Sequence, residues 1–333
     1  MKPLQLLDTP FLVFQKIIKL MEIIDLFEMS QTSKRMFACI KNARRRVQPI
    51  FLFKMENGRM IRVADCEKNG LDPEFDIVLT SENVEKDVLR QLRVKETIFD
   101  VCEKNEKSLS CCLHNGLKEE DIDSQLVDLF NYLSDLFNNK TVTVWLRPSH
   151  IATSSFLFSN LKFETCQLIK IIAKSDILSN DGVSRILEIL KPTIGIALKC
   201  HIEKGFGPKN ILNLPRLYIF KARWITFDDL LNMECETAFL RHHSFTEEDV
   251  KKLRGFKMTP NWEHILEGIN YGVWDEKEKK KRPRIFQDHY IYRVKEIDCK
   301  NGLDFERKSD GMIGTVMHQS DQIDFFVWHD IQF

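Results

Sequence analysis

The sequence predicts an α/β architecture in three parts: a small helical module, a run of alternating strands and helices, and a closing set of antiparallel strands. Three observations lead to it. Near the N-terminus, apolar residues recur at three- and four-residue intervals. Short apolar runs then return at spacings of roughly 20 to 28 residues, separated by helix- or turn-forming segments. After Pro283, apolar and polar residues alternate between turn-forming pairs, as in strands.

The helical part occupies residues 6–46. Thr9 suits an N-cap, and Pro10, with its fixed φ and missing N–H, suits the first helical position. Val13, Phe14, Ile17, Ile18 and Met21 share one helical face. A short second helix carries Leu26, Phe27 and Met29. Ser33 is placed to cap a third, which presents Met36, Phe37 and Ile40 and ends in Lys41, Arg44, Arg45 and Arg46, cations that suit a helix C-terminus. Three helices this short cannot bury so much apolar surface against one another. The stripe therefore needs a partner, either the rest of this chain or a second molecule.

Residues 47–115 read as a hairpin-rich connection. Two strand-like segments flank Asn57-Gly58, a strong hairpin signal, and 75–80 (FDIVLT) reads as a third strand. Residues 84–101 read as a helix with a following strand, and the polar stretch 102–116 as a linker. The clearest helix is 119–138, where Ile122, Leu126, Leu129, Phe130, Leu133, Leu136 and Phe137 form one stripe behind an acidic first turn.

Residues 116–275 carry the repeating theme. Apolar strands are expected at 142–146, 164–172, 194–202, 216–225, 237–243 and 261–269. Their spacing suits a degenerate leucine-rich-repeat-like α/β solenoid, in which neighbouring units stack because none buries its face alone. The alternative is an ordinary α/β domain with the same alternation. Residues 284–333 are expected to form an antiparallel meander, turning at Asn301-Gly302, Asp310-Gly311 and Ser320-Asp321, that covers the open end of the solenoid.

Composition narrows the chemistry. The chain has 333 residues, 43% hydrophobic and 29% charged, enough for a sizeable core. Its formal net charge is zero, so no global field draws it to nucleic acid or to an anionic membrane. No stretch approaches the ~20 apolar residues of a membrane span, and the N-terminus lacks the pattern of a signal peptide. Nine cysteines without paired spacing suggest reduced thiols in the cytoplasm or nucleus. In that setting the Asn139 sequon would be idle.

Glycine-rich phosphate loops, nucleophile elbows and zinc-binding helix motifs are all missing, so neither catalysis nor a cofactor is expected. The histidine–cysteine clusters at Cys111-Cys112-Leu113-His114, Cys200-His201 and His242-His243 lack metal-ligand spacing, so no metal is expected either. One of His242 and His243 is a candidate ligand contact. The basic run Lys277 to Arg284 reads as a solvated loop or a nuclear import signal.

Two stretches resemble known families. Pro10, Val13, Ile17, Met21, Asp25, Leu26, Phe27, Met29, Ser30, Ser33, Lys34 and Arg35, in this order and spacing, resemble the F-box, with Thr9 in place of the usual leucine before the proline. Residues 214–253 resemble the type 2 F-box-associated domain, carried by Leu217, Ala222, Trp224, Ile225, Thr226, Asp229, Leu230, Leu231, Leu240, Thr246 and Asp249.

Together these resemblances imply a non-catalytic substrate-recognition subunit of an SCF-type ubiquitin ligase. Pro10, Val13, Ile17, Leu20, Met21 and Leu26 would contact the SCF adaptor, which links the chain to a cullin. The C-terminal part would bind a protein substrate. The competing expectation is a repeat-like interaction scaffold without ligase association, whose N-terminal helices pack on its own core.

Overall fold

In the computed structural model of the chain, the described residues are 9–55, 58–66, 75–80, 88–94, 97–104, 108–112, 118–205, 207, 209–231, 233, 235–245, 270–273, 282–290, 293–306, 313–319 and 322–328. The fold is mixed α/β and divides into two compact units, residues 1–169 with 188–191 and residues 170–187 with 192–333.

The first unit opens with α1 (Phe11–Leu20), α2 (Ile23–Ser30) and α3 (Lys34–Ala43). Pro10 is the N-cap of α1 rather than its first residue, with φ −55° and ψ 140°. Its carbonyl accepts from Val13 N at 2.9 Å and Phe14 N at 3.0 Å. The helix thus starts one residue later than the sequence suggested, because the missing proline N–H costs nothing at a cap either. Ser33 caps α3 as expected, its Oγ accepting from Met36 N at 3.1 Å. The chain leaves α3 through Arg44, in a left-handed conformation with φ 53°. Arg45 is not a solvated cation at the helix end. It is buried and bonded to Asp65 and to the Lys19 carbonyl.

These helices pack on later parts of the same unit. Phe14, Ile18, Ile23, Ile24, Leu26, Phe27 and Ile40 are buried. Phe27 meets Phe75 at 5.2 Å and Tyr132 at 5.9 Å, and Phe37 meets Tyr132 at 5.0 Å between ring centroids. The Tyr132 hydroxyl lies 2.7 Å from Ser30 Oγ.

Those partners belong to a sheet and to the long helix α4 (Glu119–Leu136). Within this unit the sheet includes β1 (Ile50–Met55), β2 (Gly58–Val63), β3 (Phe75–Thr80), β4 (Arg90–Val94), β5 (Thr97–Lys104), β6 (Ser108–Cys112) and β7 (Thr141–Leu146), in the order β7-β1-β2-β3-β6-β5-β4. Met55 pairs with Gly58, the first residue of β2; Asn57 of the hairpin signal lies outside the described residues.

Two expectations fail here. Residues 84–101 were expected to hold a helix with a following strand; 84–87 lie outside the described residues, β4 stands where the helix was expected and pairs antiparallel with the following strand β5, and the expected linker contains β6, parallel to β3. Leu92, Val94, Phe99, Val101, Leu109 and Cys111 are buried, so alternation with charged residues marks half-buried strands. Cys111 is therefore a core thiol.

α4 buries the expected stripe from Ile122 to Phe137. After it, Asn139 ties two strands together. Its side chain donates to the Val47 and Gln48 carbonyls at 2.9 and 3.0 Å and accepts from Thr141 N at 2.9 Å. A single-turn α5 (Pro148–Ile151) and α6 (Ser155–Asn160) follow, and β8 (Thr165–Leu178) runs on into the second unit.

The second unit holds a short parallel stack. After α7 (Asn180–Leu190) come β9 (Gly195–Ile202), β10 (Arg216–Ile219), a helical turn α8 (Phe227–Leu231) and β11 (Thr237–Arg241). Gly195 lies opposite Arg216 and Arg216 opposite Thr237, two successive steps of 21 residues. This is the predicted repeat spacing. It does not build the predicted solenoid, however, because the sheet of this unit is mixed. The strand expected at 261–269 lies outside the described residues.

The remaining strands are β12 (Asn270–Val273), β13 (Ile285–Tyr290), β14 (Arg293–Asp298), β15 (Leu303–Glu306), β16 (Ile313–Gln319) and β17 (Gln322–Trp328). β15, β16 and β17 form the expected antiparallel meander, and β17 pairs antiparallel with β11, covering its edge. β13 and β14 form a separate two-stranded sheet.

Behind the meander lies an aromatic core of Phe239, Phe326 and Trp328, with Phe286 against it at 4.7 Å from Phe326 and 4.9 Å from Trp328. Arg282 is buried beside this core. It bonds Asp304 at 2.7 Å and the Cys299 carbonyl at 2.9 Å, with its guanidinium 5.2 Å from the Trp328 ring. The basic run is thus not uniformly solvated at its C-terminal end, because Arg282 is structural and Arg284 pairs with Asp298. Residues 277–281 of that run lie outside the described residues.

Candidate functional site

Among the described residues, two surfaces offer binding chemistry, one in each unit. The first is the outer side of α1. Among the residues proposed to contact the adaptor, Pro10, Val13 and Leu20 are exposed and Ile17 and Met21 are half-buried. Leu26 is fully buried and supports the module from within. Phe11 and Leu12, which the sequence did not single out, stand out beside them. Fractional exposures are 51% for Phe11, 73% for Leu12, 46% for Val13 and 85% for Leu20. Leu12, Val13 and Leu20 lie within about 100° of one another around the helix, and exposed apolar residues that share a face mark interaction sites.

The second is a cavity of about 600 Å³ in the second unit. It opens beyond the C-terminal ends of three parallel strands and is lined by His201, Lys204, Lys221, Arg223, Trp224 and His242, with Glu203 the one lining carboxylate among the described residues. His201 comes from the end of β9, Lys221 to Trp224 from the segment after β10, and His242 from the residue after β11. Parallel strands ending in register bring such side chains together, which is why sheets of this kind bind ligands at their carboxyl ends.

Local contacts hold the lining. Asn180, at the start of α7, accepts from Gly207 N at 3.2 Å and donates to the Gly205 carbonyl at 3.3 Å, while its own N–H donates to Glu203 at 2.5 Å. Gly205 has φ 74°, a left-handed conformation that glycine adopts without penalty. His242 is also left-handed, with φ 48°, and its ring packs edge-on to Phe220 at 4.9 Å. Lys221 Nζ lies 2.8 Å from His201 Nδ1. His243 turns away, accepting from Phe245 N at 3.1 Å and stacking on Phe245 at 5.1 Å. Of the two candidate histidines, then, His242 lines the cavity.

Sequence reasoning missed the lysines and Arg223. The signal was the 21-residue register itself: Lys221 and His242 sit one step apart, each just past a strand end. Cys200 and His201 point to opposite sides as expected, the cysteine buried and the histidine exposed. Among the described residues, no group of histidines, cysteines and carboxylates is placed to hold a metal ion. No described helix is long and apolar enough to cross a membrane. Cys102 is disulfide-bonded, so reduced thiols throughout are not what the structure shows.

The class of protein to which the second unit is similar follows from a family comparison. A family model described as F-box associated matches residues 207–253, which include Lys221, Arg223, Trp224 and His242. The resemblance read from residues 214–253 is borne out by this match. It does not extend to the N-terminal helices.

Over nearly its whole length the chain is similar to Caenorhabditis elegans proteins. It is 24% identical to uncharacterized protein F59B2.9 over 98% of this chain and 79% of that one. It is 22% identical to uncharacterized protein F54H12.5 over 98% of this chain and 94% of that one. No solved structure matches the chain.

Proposed function

We propose that this protein is the substrate-recognition subunit of an SCF-type ubiquitin ligase, contributing geometry and no catalysis. The observation that carries this reading is the open apolar side of α1, on a module whose residues resemble the F-box and in a chain whose residues 207–253 match an F-box-associated family. Pro10, Val13, Ile17, Leu20 and Met21 contact the adaptor, with Phe11 and Leu12 extending the surface. Through the adaptor the chain hangs from a cullin. The second unit holds a protein substrate near the ubiquitin-transfer machinery, which speeds transfer by raising effective concentration.

Leu26 keeps a supporting role, since its burial places it behind the contact surface. The expected workplace is the cytoplasm or nucleus, where such ligases act. A scaffold reading, in which the helices serve only this chain's core, is supported by the packing of Phe27 and Phe37 on Tyr132.

Co-purification distinguishes the two readings. Val13→Asp with Leu20→Asp places charges on exposed positions, so the fold survives. The proposal predicts that the wild-type chain retains the purified adaptor and that the double variant loses it by at least about tenfold. A wild-type chain that ignores the adaptor, or a variant that binds it equally well, supports the scaffold.

A further inference from the structure

We propose that the cavity of the second unit takes an anionic side chain, a carboxylate or a phosphate, presented on a peptide segment. The inference deepens the substrate-receptor reading by naming the chemistry of the substrate.

Among the described residues, the lining carries three formal cations, Lys204, Lys221 and Arg223, and two imidazoles, His201 and His242, against the single carboxylate of Glu203. That carboxylate already accepts from Asn180 N. In a chain of zero net charge, such a concentration of cations is a local feature and needs a local explanation. Lys204 and Arg223 are exposed and Lys221 is half-buried, so the cations stand where a ligand reaches them. Guanidinium and ammonium groups make charge-assisted hydrogen bonds to carboxylate and phosphate oxygens, roughly twice as strong as neutral ones.

The backbone supports the same conclusion. Gly205 and His242, both left-handed, line this one cavity. A non-glycine residue in that conformation carries a steric cost, and such residues cluster at ligand sites. Trp224 gives the cavity an aromatic wall that suits the apolar body of a residue next to the anion.

A peptide fits better than a nucleic acid. Nucleic-acid surfaces show a basic stripe that tracks many phosphates. Here the cations converge on one cavity of about 600 Å³, within the range of pockets that hold a small group of atoms.

The test uses the full chain and a library of eleven-residue peptides with degenerate flanks and a fixed centre of phosphoserine, glutamate, serine or lysine. At low ionic strength the proposal predicts enrichment of phosphoserine or glutamate centres at least tenfold over serine and lysine. Phosphoserine alone identifies a phosphate site, and both together a general anion site. Lys221→Glu with Arg223→Glu abolishes the enrichment, while circular dichroism confirms the fold.

Equal retention of all four centres overturns the proposal, as does enrichment that the double variant preserves. Tighter binding of a single-stranded DNA oligonucleotide than of any peptide overturns the choice of a peptide. Because no adaptor is present, failure here leaves α1 docking standing. Loss of adaptor binding, conversely, leaves peptide capture standing.

Discussion

Asp123 shows how one residue on α4 fixes helix to sheet in the first unit. Its carboxylate accepts from Lys54 Nζ at 3.0 Å and from Arg59 Nε at 2.7 Å, and all three side chains are at most 2% exposed. Removing one member of a buried ionic group costs more than the group contributes when complete, because the charges left behind stay desolvated. Asp123→Ala should lower unfolding stability by about 3–5 kcal/mol, read from a urea midpoint. A loss below about 1 kcal/mol contradicts the claim that this carboxylate holds α4 in place.

The thiols respond to pH at the same scale. Burial pushes Cys111, Cys166, Cys200 and Cys235 up from 9.0 to about 12, and Cys299 to about 11. In the unfolded chain these thiols lose protons near pH 9, while in the folded chain they keep them. The stability they contribute is complete below pH 9 and is lost as pH rises toward 11–12. Urea midpoints should therefore hold steady from neutrality to about pH 9 and fall beyond it. Asp298 works in the opposite range. The Arg284 guanidinium holds its carboxyl down to about 2, so its contribution is present above the usual carboxylate range and fades as pH falls toward 2.

At the scale of elements, the β9–β10 pair depends on Gly195. A Cβ there would land against the Arg216 carbonyl carbon and oxygen, which the backbone cannot yield without breaking register. Gly195→Ala should cost about 1–3 kcal/mol and raise hydrogen exchange in β9 and β10, with β1 and β2 unchanged. Exchange that rises equally in both units would contradict a local effect.

Elements were legible in proportion to how locally their pattern is written. Ser33 and its helix, the strand at 75–80, the stripe of α4 and the meander after residue 300 carry their periods within one segment. β4, β5 and β6 do not. Arg90, Arg93, Asp100 and Glu103 interrupt their apolar residues, and β6 finds its parallel partner β3 more than thirty residues upstream. Of the cavity lining, His201, His242 and Trp224 were legible as residues of interest. Convergence of Lys204, Lys221 and Arg223 comes from strand register, which a single sequence does not display.

At the scale of the molecule, the two compact units carry two different surfaces, one apolar and one cationic, and the proposed receptor needs both. The match to F-box-associated proteins speaks for the second unit. The docking role of the first rests on α1, where Leu12 and Leu20 remain in the open although the helices around them found partners within their own unit. Apolar surface that becomes buried on association lowers heat capacity, a marker that charged contacts do not produce.

Isothermal titration of the purified SCF adaptor into the full chain at several temperatures tests this most directly. Saturable one-to-one binding, with an enthalpy that grows more negative on warming, is the predicted result. No heat at tens of micromolar, or binding whose enthalpy is independent of temperature, would contradict it.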